Sequence, residues 1–276
     1  MNKKLKIGIR AHDLNNAPFN DANELVRELK KIDINIIQLV FKKVFKNFEF
    51  IKINEVSDIL KENNIEVAML GAYFNMIHSD INKKNNDIEY YKYCLDIGKI
   101  FDCHYVGSET GSYNDDKWTF NEKNHTYEAF TEVSNVIKNL QDYSKDKYSD
   151  VTIEGAYNHV IYSPLVLNEL IKKNDLKYVI VDIFNFLNID NYKDHTKIFD
   201  EAIKLYKDKI VIFHIKDFII NENEFIQVGI GEGLMNYTYI IPKIKKYCPD
   251  AYLILEGVKK DKIETSIRYL RSFDDD

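Results

Sequence analysis

Four short apolar segments in the second half of the chain each end in a side chain that can bind a metal ion. These terminal residues are Glu154, Asp182, His214 and Glu256. Three carboxylates and one imidazole form a hard, oxygen-rich donor set, which favours Mn²⁺ or Mg²⁺ and can also accept Co²⁺ or Zn²⁺. We therefore predict a site for one divalent metal ion, with Mn²⁺ as the first candidate.

The same donor set indicates what the site could do. A metal ion chelated by two hydroxyl or carbonyl oxygens of a sugar polarises the neighbouring C–H bond. A carboxylate on each side of the substrate could then remove a proton and return it. Glu154 and Glu256 are the candidates for this catalytic role, because a glutamate reaches one methylene further than an aspartate. Asp182 and His214 would mainly anchor the metal ion.

The elements that must position these residues alternate regularly along the chain. Eight apolar runs, continuous enough for strands covered on both faces, are separated by eight amphipathic segments. This pattern predicts an α/β protein with a (β/α)8 TIM barrel, formed as one domain by residues 1–276 and close to the usual size of about 250 residues. An open, doubly wound sheet is the alternative, but no Gly-rich turn follows the first strand. The predicted strands are 6–10, 34–40, 66–72, 104–108, 151–155, 177–182, 210–215 and 252–256, and the predicted helices are 21–32, 54–63, 87–101, 123–143, 164–173, 195–207, 237–247 and 260–271.

A barrel would bring the four candidate ligands together, because the carboxyl ends of its strands meet at one opening. The first two spacings between ligands match single strand–helix repeats. The third requires a longer connection, which the segment from Asn221 to Gly233 supplies.

Composition narrows the class of partner. The chain carries 44 acidic and 38 basic residues, with a formal charge of −6, and this balance argues against nucleic-acid binding. No apolar run approaches the roughly 20 residues of a membrane span, and the start of the sequence does not resemble a signal peptide. Three widely spaced cysteines give no disulfide framework. We expect a cytoplasmic protein whose partner is a small sugar or polyol.

Several short motifs resemble those of the xylose-isomerase-like TIM barrels. This superfamily contains sugar-phosphate isomerases and epimerases, inosose dehydratases, ketose 3-epimerases and the endonuclease IV group. The motifs occur in the expected order over nearly the whole chain, at 70–78, 107–111, 153–155, 181–182, 214–217, 228–231 and 255–257.

The resemblance implies that Glu154, Asp182, His214 and Glu256 bind the metal ion. It also implies that Glu154 and Glu256 double as acid and base in an isomerase or epimerase. Many ketose 3-epimerases carry a histidine three residues after the aspartate ligand, and this chain has Asn185 there. A related substrate is therefore expected instead of a standard ketose.

Four further residues are candidates for substrate binding. His78 and Glu109 follow the third and fourth predicted strands, and His159 lies five residues beyond Glu154. A helix cap or a loop hydrogen bond would explain His78 and Glu109 equally well. Lys216 could reach a hydroxyl or phosphate group, or it could be an ordinary surface lysine. Its neighbour Asp217 could orient a ligand or Lys216 itself.

The leading hypothesis is a metal-dependent isomerase or epimerase of a sugar or sugar phosphate. The alternative is a metal-dependent lyase of the inosose-dehydratase type, acting on a polyol or keto-inositol. An endonuclease IV-like nuclease would need several more histidine ligands, and a sugar-binding barrel without catalysis would not need all four strand-end ligands. Homo-oligomers would be consistent with the resemblance.

Overall fold

The strands of the protein close into a parallel barrel with the order β1-β10-β7-β6-β5-β4-β3-β2. The structure is a computed structural model that describes residues 3–274. The predicted (β/α)8 TIM barrel is thus confirmed, while the domain bounds 1–276 stay a prediction. In chain order the strands are β1 Lys6–Arg10, β2 Ile36–Leu39, β3 Glu66–Gly71, β4 Tyr105–Ser108, β5 Asp150–Glu154, β6 Tyr178–Asp182, β7 Ile210–Ile215, β8 Asp217–Asn221, β9 Glu224–Val228 and β10 Tyr252–Leu255.

Helices follow the barrel strands along the chain. They are α1 Ala22–Lys31, α2 Phe41–Val44, α3 Ile53–Glu62, α4 Ile81–Ile97, α5 Tyr127–Ser144, α6 Pro164–Asn174, α7 His195–Tyr206, α8 Tyr237–Tyr247 and α9 Ile263–Arg271. Asp21 and Ser163 cap α1 and α6 through their side chains. Among residues 3–274, none of these helices combines the length and apolarity that crossing a membrane requires.

Helix α4 begins six residues before its predicted start at residue 87. The first turns consist mainly of Asn and Lys, so the apolar periodicity that marks a helix is absent there. The Asp80 side chain accepts hydrogen bonds from the N–H groups of Asn82 and Lys83, and this cap fixes the start. The polar composition of the first turn is therefore the reason that the start of α4 was predicted too late in the sequence.

The chain divides into two compact units, of which the first comprises residues up to 71, 100–103 and from 212 onward. Within it, β10 pairs in parallel with β1 and β7. The register places Leu255 opposite Ile9 and Ile254 opposite His214. Most apolar side chains of these strands are almost fully buried, which is the covering on both faces that their composition predicts.

The second unit comprises residues 72–99 and 104–211. Here β5 pairs with β4 and β6, and Glu154 lies opposite Ile180. The buried Tyr91 of α4 donates a hydrogen bond from its hydroxyl to the carbonyl of Val106 in β4. Helix α4 therefore contacts strand β4 through a hydrogen bond as well as through buried side chains.

An antiparallel hairpin, formed by β8 and β9, interrupts the connection between β7 and α8. The sequence predicts only a longer connection from Asn221 to Gly233, so these two strands were not expected. The two-residue turn consists of Glu222 and Asn223, with φ of 48° and 65°. Such a turn usually carries Asn-Gly or Asp-Gly, so the pair gives little sign of a hairpin in the sequence.

Asp217 holds the loop that follows the hairpin. Its carboxylate is fully buried and accepts hydrogen bonds from the N–H groups of Gly231 and Gly233, each at 2.9 Å, and of Met235 at 3.0 Å. The hypothesis that Asp217 orients Lys216 or a metal ligand is therefore replaced by a role in loop structure.

We predict that Asp217→Ala lowers the free energy of unfolding by about 2–4 kcal/mol, because it leaves several backbone donors without their charged acceptor. Denaturant unfolding would measure this change. Asp217→Asn, which keeps one acceptor oxygen, should lose less. Equal stability of Asp217→Ala and the wild type would contradict this account of the loop.

Candidate metal centre

Two of the predicted ligands end adjacent strands of the second unit. Glu154 is the last residue of β5 and Asp182 is the last residue of β6, and both are almost completely buried. Asn185 follows in the turn after β6. Its backbone N–H donates to Asp182 Oδ1 at 3.2 Å, and its side-chain Nδ2 donates to Glu154 Oε1 at 2.7 Å.

The first unit supplies the other two predicted ligands, His214 from β7 and Glu256 directly after β10. His214 Nε2 donates a hydrogen bond to Oε1 of the fully buried Gln38 in β2, at 2.7 Å. A neutral imidazole that carries its proton on Nε2 presents a lone pair on Nδ1. His214 Nδ1 lies 3.0 Å from Glu256 Oε2, so this nitrogen is the atom that can ligate a metal ion.

Glu256 is surrounded by positive charge. Arg10 Nη1 and Lys216 Nζ each lie 2.8 Å from its Oε1. Burial alone would raise the pKa of this carboxyl, but the positive charges of Lys216 and Arg10 hold the pKa well below its ordinary value. Glu256 therefore remains a carboxylate throughout the physiological range of pH.

Arg10 is itself fixed by a neighbouring carboxylate. Its Nε and Nη2 bond the two oxygens of Asp13 at 2.8 and 2.9 Å, and Asp13 Oδ2 also accepts the N–H of Gly257 at 2.7 Å. Arg10 and Asp13 were not among the site residues predicted from the sequence. The position of Arg10 at the carboxyl end of β1 was a usable signal, because the same rule selected the four candidate ligands.

The four predicted ligands form one group. Glu154, Asp182, His214 and Glu256 each offer one ligand atom, and these atoms all lie within 4.8 Å of one another. Three carboxylates this close together repel each other strongly when they are withdrawn from water. A divalent cation would relieve this repulsion, so the donor set fits a hard metal ion of the kind the sequence predicts.

The predicted substrate-binding residues have different surroundings. Lys216 is only 7% exposed and is paired with Glu256, so it is not an ordinary surface lysine. Glu109 Oε1 lies 3.7 Å from His159 Nδ1 and 3.4 Å from Asn185 Nδ2, which brings this pair close to Glu154. Their binding of substrate stays a prediction.

His78 contacts loop groups with both ring nitrogens. Its Nδ1 accepts the N–H of Asp80 at 3.0 Å, and its Nε2 lies 3.3 Å from Asp116 Oδ1. These contacts favour the alternative considered for His78, a loop hydrogen bond, although its role in substrate binding remains a prediction.

His12 lies in the short turn after β1. Burial, followed by the charge of Arg10, lowers its pKa to about 4. His12 is therefore a neutral imidazole at pH 7.

We predict that Gln38→Leu weakens Mn²⁺ binding by about 10- to 100-fold, because the His214 N–H loses the acceptor that sets its tautomer and ring orientation. Isothermal titration calorimetry would measure the dissociation constant. Gln38→Glu keeps an acceptor oxygen at this position and should bind Mn²⁺ at least as tightly as the wild type. An unchanged affinity in Gln38→Leu would show that this hydrogen bond does not control His214.

The chain resembles solved structures over nearly its whole length. An apo structure of 3-keto-D-glucoside 4-epimerase from E. coli covers 98% of this chain and 100% of its own, with a TM-score of 0.74 and 17% identity. The IOLI protein, solved with a bound zinc atom, covers 98% and 97%, with a TM-score of 0.72 and 14% identity. The probable 3-DHS dehydratase AsbF from Bacillus anthracis covers 96% and 98%, with a TM-score of 0.73 and 15% identity. At these identities the resemblance concerns the fold alone.

Sequence comparison gives the family. No curated protein sequence matches the chain. The family model described as xylose isomerase-like TIM barrel matches residues 26–273, which is most of the 276 residues. The chain therefore belongs to the xylose isomerase-like TIM barrel family.

Proposed function

We propose that the protein is a divalent-metal-dependent isomerase or epimerase of a sugar or sugar phosphate. The observation that carries this proposal is the grouping of Glu154, Asp182, His214 and Glu256 at the ends of barrel strands. Mn²⁺ is the proposed ion because three of the four donors are carboxylates. The zinc atom in the IOLI structure makes Zn²⁺ the first ion to test beside it.

A divalent ion bound by these residues would act as a Lewis acid toward the substrate oxygens. Glu154 would remove the proton from carbon, because it ends a barrel strand and its carboxylate can accept a proton from a bound substrate. Lys216 would face an oxygen on which negative charge develops, since its ammonium group already lies against Glu256. Asp182 and His214 would mainly anchor the metal ion.

The proton must also be returned. Glu256 would serve as the second acid–base group in an epimerase, taking a proton from the adjacent ammonium of Lys216 and delivering it to the face opposite Glu154. In an isomerase, Glu154 could return the proton to the neighbouring carbon itself. Glu109 and His159 would bind hydroxyl groups of the substrate near Glu154.

A lyase of the dehydratase type is the second candidate. The surroundings of Glu256 favour it, because a carboxylate paired with two cations is a weak base. Elimination of water needs one base and a separate group that assists the departing oxygen, so Glu154 and Lys216 would suffice. The probable dehydratase among the similar structures shares the fold. A cytoplasmic location and assembly into a homo-oligomer stay predictions.

We predict that the purified protein binds about one divalent ion per chain and that Asp182→Ala loses it, because this substitution removes a buried anionic ligand. Elemental analysis after incubation with Mn²⁺ or Zn²⁺, followed by dialysis, would measure the ratio. Glu66→Gln, at the opposite end of β3, is the control and should retain the ion. A protein that binds neither ion would end the proposal.

We predict that Glu154→Gln lowers kcat by at least about 1000-fold on any substrate found by screening sugars and sugar phosphates, because the amide cannot accept the proton. Mass spectrometry of the wild-type product would separate the two candidate reactions. An isomer or epimer has the mass of the substrate, whereas a dehydratase product has lost one water. Full activity in Glu154→Gln would rule out Glu154 as the base.

A further inference from the structure

Asn185 contacts two of the proposed metal ligands at once. Its backbone N–H donates to Asp182 Oδ1 at 3.2 Å, and its side-chain Nδ2 donates to Glu154 Oε1 at 2.7 Å. Nδ2 also lies 3.4 Å from Glu109 Oε1. One residue thus connects side chains that come from the ends of β4, β5 and β6.

The amide group suits this position chemically. A carboxamide nitrogen has two N–H donors and no charge, so it can lie between the carboxylates of Glu154 and Glu109 and donate toward both. The reverse orientation would place the amide oxygen against two negatively charged groups. The surroundings therefore fix which way the side chain points, and with it the oxygen of Glu154 that receives the hydrogen bond.

The backbone of Asn185 is held as well. Its carbonyl accepts the N–H of Tyr157, in the loop after β5, at 2.7 Å. The residue lies in a short 3-10 turn over 184–186, which follows β6 almost directly. Little freedom remains for the turn to move relative to the two carboxylates, because it is bonded on the backbone side and on the side-chain side.

We infer that Asn185 is a positioning residue that sets Glu154 and Asp182 in their metal-binding orientation before the ion arrives. The inference rests on the proposed function, because it assumes that these two carboxylates are ligands. A hydrogen bond to one carboxylate oxygen directs the other oxygen and removes rotamers that would have to be given up on binding. Asn185 itself is not a ligand in this assignment and acts only through Glu154 and Asp182.

The test compares Mn²⁺ binding by Asn185→Ala and by a matched variant of the same loop, Asn191→Ala. Asn191 Nδ2 donates to the carbonyl of Phe186 at 3.1 Å, and its Oδ1 accepts the N–H of Asn188, so its loss loosens the loop without touching a ligand. Isothermal titration calorimetry would give each dissociation constant. We expect Asn185→Ala to raise the dissociation constant by about 10- to 100-fold and Asn191→Ala to leave it near the wild-type value.

Thermal unfolding of the metal-free proteins separates positioning from a general loss of stability. Asn185→Ala should unfold near the temperature of Asn191→Ala without metal, and should gain less stability when Mn²⁺ is added. If Asn185→Ala does not fold, Asn185→Ser takes its place, because its hydroxyl can still support the turn but is too short to reach Glu154. A wild-type affinity in whichever of these two variants folds would overturn the inference, as would equal weakening in Asn191→Ala.

The outcomes distinguish this inference from the proposed function. If the wild-type protein binds no divalent ion, the proposed function fails. If the wild type binds Mn²⁺ and Asn185→Ala binds it equally well, the metal site stands and only the positioning role of Asn185 is lost.

Discussion

The constraint on which the site depends is the burial of three carboxylates within a few ångströms of one another. Such a group is stable only if positive charge or hydrogen-bond donors compensate each member. The three carboxylates are compensated in two different ways. Glu256 is paired with Arg10 and Lys216, while Glu154 and Asp182 accept hydrogen bonds from Asn185. The remaining need for charge is what makes a divalent ion fit the centre.

Compensation by cations and compensation by amides have different chemical results. A carboxylate held by two cations keeps its charge but is a weak base, whereas one that receives a neutral hydrogen bond keeps more of its basicity. Glu256, which looks equivalent to Glu154 in the sequence, is therefore a weak base in the folded protein. In the proposed function this property leaves the first proton transfer to Glu154, and it is also the reason that a dehydratase is the second candidate.

The sequence predicts the barrel correctly, and it also points to the four candidate ligands, because both follow from local patterns. Each ligand comes at the end of a continuous apolar run, and the ends of parallel strands meet at one opening. The roles of the supporting residues depend on contacts that the sequence does not show. Gln38 lies within a strand far away in the sequence, and its role depends on a hydrogen bond to His214 that only the closed sheet creates. Arg10 had a strand-end signal, but the choice of Asp13 as its partner depends on the turn after β1.

The hairpin formed by β8 and β9 implies an uneven tolerance to changes in chain length. The base of the hairpin is bonded to residues of the candidate metal centre and of the following loop. Gln227 donates a hydrogen bond to the carbonyl of Glu256 at 2.6 Å, and Asp217 accepts hydrogen bonds from the loop after the hairpin. Its tip, Glu222–Asn223, is exposed to solvent. Insertions in natural relatives, or a peptide tag introduced by design, can therefore be accommodated at the tip, whereas a change of one residue at the base would shift the register that holds Glu256.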